Sequence, residues 1–268
     1  MNNDLISEFK SNMRETWSLG NFGDIAVFTT PVAGHLVRFA GVSTGEILLD
    51  VGTGTGVVAI TARGKGAKVT GLDLTPFLLN QAKENTIIAG FDDIRWQEGD
   101  VEFLPFEDHS FDVVLSQFGH IFAPRPEVAI SEMLRVLKPG GRIAFATWPP
   151  EQLNGQMFSL NAKYIPPPPG VSPPMQWGEV SVIEQRLGNR VADLFFERGM
   201  MSVPALSPQH LRLQRETKAG PFIRTVQALQ KDPARLEAWR KEIDHLVSRY
   251  LRDNIVRQEY LLTRAVKI

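Results

Sequence analysis

The sequence predicts a doubly wound α/β fold, an open parallel sheet with helices on both faces, and three observations carry that expectation. Short β-branched and leucine-rich runs such as EILLDV at residues 46–51 lack the polar alternation of a one-sided strand, so they suit strands buried on both faces. Each run closes on a polar residue and a turn signal, and a segment of helical period follows. The strand, turn and helix unit then repeats through residue 148, as parallel strands joined by crossover helices require.

The elements follow in order. The first forty residues, with Phe9, Met13 and Trp17 at helical spacing, predict an added helical arm. Residues 46–51 are the first strand, and the turn Gly52-Thr53-Gly54-Thr55-Gly56 leads to a helix over 57–63, stopped by Gly64-Lys65-Gly66. Residues 68–72 form a second strand closing on Asp73, and Thr75-Pro76 supplies an N-cap and a first-turn proline for the next helix. Residues 94–97 and 111–117 are the third and fourth strands. A helix over 126–137 then stops at Lys138-Pro139-Gly140-Gly141 before a strand over 142–148.

Beyond Trp148 the prolines at 149–150, 166–169 and 173–174 cannot lie inside a helix or central strand. They mark an insertion over 151–206, read as a stiff loop framing a substrate pocket rather than a ligand for another protein, with a sixth strand in 194–204. Ser207-Pro208 and Asp232-Pro233 each start a helix, and residues 257–267 alternate as a final strand. The organisation expected is one enlarged domain over 1–268: arm or lid 1–40, ligand-binding core 41–150, insertion and sixth strand 151–206, helices and last strand 207–268.

Composition narrows the chemistry. With 43% hydrophobic and 22% charged residues the chain reads as soluble, and neither a membrane span nor a basic-then-apolar leader is visible, so a cytoplasmic location is expected. The chain contains no cysteine, which excludes disulfides, thiolate nucleophiles and Cys-based metal sites. Its histidines, His35, His109, His120, His210 and His245, show no metal-ligand spacing, and no metal is expected. From Ala205 onward there are 13 basic against 7 acidic residues, and spread along helical segments they read as solvated faces rather than a nucleic-acid patch.

ILLDVGTGTG places a carboxylate, Asp50, directly ahead of three closely spaced glycines. Glycine turns at the carboxyl ends of parallel strands are where open α/β sheets bind ligands. Gly54-x-Gly56-x-x-Ala59 also fits the permissive dinucleotide pattern, with Asp73 near the distance for a ribose-binding acid. Asp50 opposes that reading, because a carboxylate beside a pyrophosphate repels it and no basic residue stands in 51–56. A ligand with an ammonium and a sulfonium, S-adenosylmethionine, reverses the sign of the interaction and needs the same close backbone approach. Asp73 can accept both ribose hydroxyls, and Asp100 in the turn Glu98-Gly99-Asp100-Val101-Glu102 can take an adenine amino hydrogen.

The set DVGTGTG, GLDLTPFLLNQA, EGDVEFLPFEDHSFDVVLSQFG and EMLRVLKPGGRIAFATW resembles the class I S-adenosylmethionine-dependent methyltransferases, in particular the branch with the ubiquinone and menaquinone biosynthesis enzymes. The resemblance spans about residues 47–148. It implies a Rossmann-like seven-stranded sheet whose last strand runs antiparallel between the fifth and sixth. It implies cofactor contacts at Asp50, Gly52, Thr53, Gly54 and Gly56, at Asp73 and Leu74, at Asp100, Val101 and Glu102, and at Ser116 and Gln117.

In-line methyl transfer needs positioning and exclusion of water more than reactive side chains, and a general base only where the acceptor must lose a proton. The base candidates are His120 and, in the arm, Asp24. Phe118, Phe122, Trp148, Trp177 and Tyr164 read as walls for an apolar or aromatic acceptor. SQFG stands where base-amino methyltransferases carry N/D-P-P-F/Y, which by family analogy disfavours nucleic acid. The expected partner is therefore a small, partly apolar metabolite methylated at oxygen or carbon. An RNA methyltransferase, a non-catalytic S-adenosylmethionine binder and a nicotinamide-dependent reductase stay open.

Overall fold

The amino-terminal helices α1 (Asn3–Trp17), α2 (Gly23–Ala26) and α3 (Thr30–Phe39) precede strand β1 (Ile47–Val51) in the computed structural model, which describes residues 3–268. Then come α4 (Val57–Gly64), β2 (Lys68–Asp73), α5 (Pro76–Ile88), β3 (Arg95–Glu98), β4 (Phe111–Gln117), α6 (Pro126–Val136) and β5 (Leu137–Thr147). The rest comprises α7 (Leu153–Tyr164), α8 (Val180–Leu187), β6 (Val191–Pro204), α9 (Pro208–Lys218), α10 (Gly220–Leu229), α11 (Pro233–Ser248), β7 (Leu251–Arg252) and β8 (Ile255–Lys267).

The strands form one sheet in the order β3-β2-β1-β4-β5-β8-β6. Pairing is parallel from β3 through β5, and β8 lies antiparallel between β5 and β6, as the resemblance implied. The eighth strand is only the two-residue β7, which turns back onto β8. Leu48, Leu49, Val113, Val114, Leu115, Ile143, Ala144 and Phe145 are fully buried, which explains runs without polar alternation. The parallel strands end at one sheet edge, so the turns after β1, β2, β3 and β4 converge there.

Several elements depart from the sequence expectation. α3 is no part of an arm: Val32, Ala33, Leu36 and Val37 are buried, and the helix packs on β4, β5 and α4. Only residues before it reach over the sheet edge. The tract Lys138-Pro139-Gly140-Gly141 does not separate helix from strand, because β5 starts at Leu137, which pairs with Phe111 before a register shift. Thr75 adopts the extended N-cap conformation but its side chain caps nothing; Asp73 Oδ1 accepts the Thr75 N–H at 2.9 Å instead. Ser207 and Asp232 do cap as expected, accepting from His210 N–H and Arg235 N–H. No helix among the described residues is long and apolar enough to cross a membrane.

Candidate functional site

The glycine turn is built by a chain of short bonds. Thr53 N–H donates to Leu72 O at 2.9 Å, tying the turn to β2, and Gly54 N–H donates to Asp73 Oδ2 at 2.8 Å. Gly52 has φ +63°, and a Cβ there would sit 2.7 Å from Gly119 Cα, so the turns after β1 and β4 touch through two glycines. Gly54 has φ +55° and open space where its Cβ would be. Bare backbone is therefore exposed to a cavity lined also by Asp73, Leu74, Asp100, Val101 and Gln117. Gly56 instead abuts Trp96 and Ala82, so its missing side chain serves packing.

The two acids at this edge occupy different places. Asp50 is 1% exposed and does not line the cavity; it lies under the turn, where its Oδ2 accepts from Thr53 Oγ1 at 2.5 Å and Ala59 N–H at 3.1 Å. The carboxylate thus pins the turn to the start of α4 rather than projecting into the ligand space, and its Oδ1 has no protein partner. Burial pushes its pKa up to about 7, opposed by those hydrogen bonds and reinforced by the charge of Asp73. Asp73 does line the cavity; both its oxygens accept backbone N–H groups, and burial raises its pKa. Among the described residues no cation compensates this buried pair. A cationic ligand is attracted there and a pyrophosphate is not.

The third turn holds a contact that sequence reasoning missed. Lys10, from α1, reaches 90 residues along the chain to Asp100 Oδ2 and also bonds Glu102 Oε2, each at 2.5 Å. Its position on the same face as Phe9, Met13 and Trp17 was the available signal. Asp100 Oδ1 accepts the Glu102 N–H at 2.9 Å. Glu102 is buried and spent on Lys10 and on Arg125, whose Nε lies 2.8 Å from Oε2; its carboxylate does not reach the cavity. Ser116 is likewise structural: its hydroxyl donates to Val51 O at 2.6 Å and accepts the His120 N–H at 3.2 Å, locking the end of β4 to that of β1.

His120 lines the cavity from within its wall. Its ring is wholly buried, 4.8 Å from the Phe145 ring and 4.6 Å from that of Trp177, and neither ring nitrogen has a protein partner. Burial, with Arg186 nearby, lowers its pKa to about 3, so it has little power to draw a proton from an acceptor. Asp24 is outside the cavity, paired with Lys218 at 2.7 Å. Trp177 packs beneath His120, and the Tyr164 hydroxyl donates to Glu242 at 2.6 Å, which pushes its pKa up to about 12; neither lines the cavity. The prolines at 166–169 lie exposed on the outside, because α7 takes the wall position expected of them.

Phe118, Phe122 and Trp148 do line the cavity. Phe118 has φ +60°, a strained conformation held by its ring stacking on Trp148 at 3.8 Å and its N–H bonding Ala146 O. Trp17, Phe22, Met157, Phe158, Met201 and Phe222 complete an apolar chamber beyond the turns, under a cap of α1, α7, α9 and α10.

A family model described as a methyltransferase domain matches residues 49–145, the segment carrying all four turns. An uncharacterized protein of Mycobacterium tuberculosis is 34% identical over 95% of this chain and 93% of its own. The chain is a class I S-adenosylmethionine-dependent methyltransferase. Over half of its length this methyltransferase is also 39% identical to 56% of a demethylmenaquinone methyltransferase of Staphylococcus aureus. Its fold matches that of the YcgJ protein of Bacillus subtilis, with a TM-score of 0.61 at 19% identity over 88% of this chain and 97% of that one. S-adenosylmethionine is its cofactor, and the exposed Gly54 backbone and uncompensated acids fit that group.

Proposed function

We propose that this methyltransferase transfers a methyl group to oxygen or carbon of a small, partly apolar metabolite. The observation that carries the reading is the chamber beside the glycine turn, walled by aromatic and methionine side chains from both ends of the chain and covered by α1. Such a space removes an apolar acceptor from water. Five of the thirteen basic residues from Ala205 onward pair with carboxylates of the chain, Arg212 with Asp244 and Glu216, Arg240 with Glu216, Arg224 with Glu15, Lys218 with Asp24 and Lys241 with Glu237, which lowers the positive charge this part can offer to RNA.

In this reading the turn from Gly52 to Gly54 holds the amino-acid tail of S-adenosylmethionine, Asp73 the ribose, and Leu74, Asp100 and Val101 the adenine, with Gln117 beside them. Asp50 acts from below, setting the turn and adding negative potential. Residues 1–40, read at first as a lid, reduce to the stretch before α3, with Lys10 fastening α1 to Asp100. When bound, the cofactor supplies an electrophilic sulfonium methyl. The chain's own residues position the acceptor against it and exclude water, and no buried base draws a proton. The acceptor therefore arrives already ionised, as a phenolate or enolate, and reacts at its oxygen or at its electron-rich carbon, a carbon-bound proton being lost to water afterwards.

The test incubates the purified protein with methyl-labelled S-adenosylmethionine and separate pools of phenols, quinols and polyketides, RNA, and protein. Label in a small aromatic or polyketide product is expected. Label confined to RNA or protein, or in no product at all, would overturn the proposal.

A further inference from the structure

Arg215 on α9 lines the acceptor chamber with no carboxylate paired to it, whereas its neighbours Arg212 and Arg240 share Glu216. Its Nε is buried without a partner, and its Nη2 donates only to Gln258 Oε1, at 3.4 Å. The same Gln258 oxygen accepts from Asn154 Nδ2 at 2.8 Å. A guanidinium can only donate, so the Gln258 oxygen must face it, and the Gln258 Nε2 is left as a second buried donor without an acceptor. Two buried donors without acceptors, one charged and one neutral, thus stand in the wall of the chamber, on a polar stretch that Asn154, Asn161 and Gln214 share. Burial lowers the Arg215 pKa to about 10, which still leaves it charged at neutral pH.

An unpaired buried cation costs stability and persists where a ligand completes it. The geometry points to an anion-binding subsite formed by Arg215 and Gln258, which recognises the carboxylate of an aromatic or polycyclic acceptor. This rests on the proposed function, because it takes the chamber as the acceptor's place. It narrows the substrate class from apolar metabolites to apolar acids. A carboxylate offers one oxygen to the guanidinium and the other to the Gln258 amide, while the ring system lies among Met201, Val203, Leu211 and Phe222. The anchored carboxylate fixes which end of the acceptor faces the cofactor.

The experiment titrates protein saturated with S-adenosylhomocysteine against paired probes, mono-, bi- and tricyclic aromatic carboxylates each beside its neutral carboxamide, by calorimetry or ligand-observed NMR. At least one carboxylate is expected to bind about tenfold or more tighter than its amide, as a charge-assisted hydrogen bond allows. Arg215→Met is expected to erase that preference while S-adenosylhomocysteine affinity stays within about twofold. Equal binding of each pair to the wild-type protein, no binding by any probe, or a preference surviving in Arg215→Met would overturn the subsite. The wild-type comparison decides even if the variant does not fold. Failure of S-adenosylhomocysteine itself to bind would count against the proposed function instead, and the carboxylate preference would then be read on ligand-free protein.

Discussion

The cofactor edge and the acceptor chamber share one cavity but are made differently. The edge is mostly backbone: turns after four parallel strands, cross-tied by Asp50, Asp73 and Ser116 within one stretch of about 70 residues. The chamber is side chains, gathered from α1, α2, α7, β6, α9, α10 and β8. The first carries acids at Asp50 and Asp73 that no cation among the described residues offsets, Lys10 being paired with Asp100, and the second a positive charge at Arg215. The contrast teaches that the constant half of the reaction is bound by local geometry, while the variable half is bound by long-range assembly.

The sharpest way to break that contrast is Asp73→Ala. It removes the acceptor of Gly54 N–H and Thr75 N–H together with the group proposed for the ribose. S-adenosylhomocysteine affinity should fall more than about 100-fold by calorimetry, with circular dichroism confirming a folded sample. Arg215→Met should leave that affinity nearly unchanged, and a large loss in it would show that the two halves are not separable.

Next comes Gly52→Ala. Its φ of +63° and the 2.7 Å approach to Gly119 Cα leave no room for a methyl without parting two turns. A loss of about 2–4 kcal/mol in urea unfolding is expected.

Asp50 gives the third. Its folded pKa, raised to about 7, lies above its unfolded value, so the proton is held more tightly in the folded state. The stability this group contributes is full below about pH 4 and is lost as pH rises through about 7. A cationic ligand favours the ionised form, so the affinity for S-adenosylmethionine, which carries the sulfonium that S-adenosylhomocysteine lacks, should rise by up to about tenfold from pH 6 to pH 8. Asp50→Asn should flatten the profile. A falling profile in the wild-type protein would contradict the sign of the interaction.

The smallest effect is expected at His120. His120→Leu removes two ring nitrogens without protein partners and keeps the packing against Phe145 and Trp177. Stability should change by no more than about 1 kcal/mol and cofactor affinity by less than about twofold.

The same division explains what could be read beforehand. β1, β4 and β5 were found because burial on both faces writes an apolar run, which the partly exposed β3 lacks, and Gly54 and Asp73 stood out because turn chemistry is local. Glu102 and Ser116 were named as ligand contacts yet bond Arg125 and Val51 O, since sequence cannot tell which way a side chain at a turn points. Lys10, Asn154, Arg215 and Gln258 were not singled out at all, because their meaning appears only when distant helices meet over the sheet. Proline density pointed to the wrong wall for the same reason: it marks a break in regular structure, not its distance from the ligand.

The most direct measurement is a crystal structure of the complex with S-adenosylhomocysteine. The ribose hydroxyls are expected on Asp73, the amino-acid tail over Gly52 to Gly54 with Asp50 still beneath, and the sulfur facing Trp17, Phe122 and Met157. A ribose bound away from Asp73, or a sulfur turned from those side chains toward solvent, would contradict the division of the cavity into an acidic backbone edge and an apolar acceptor chamber.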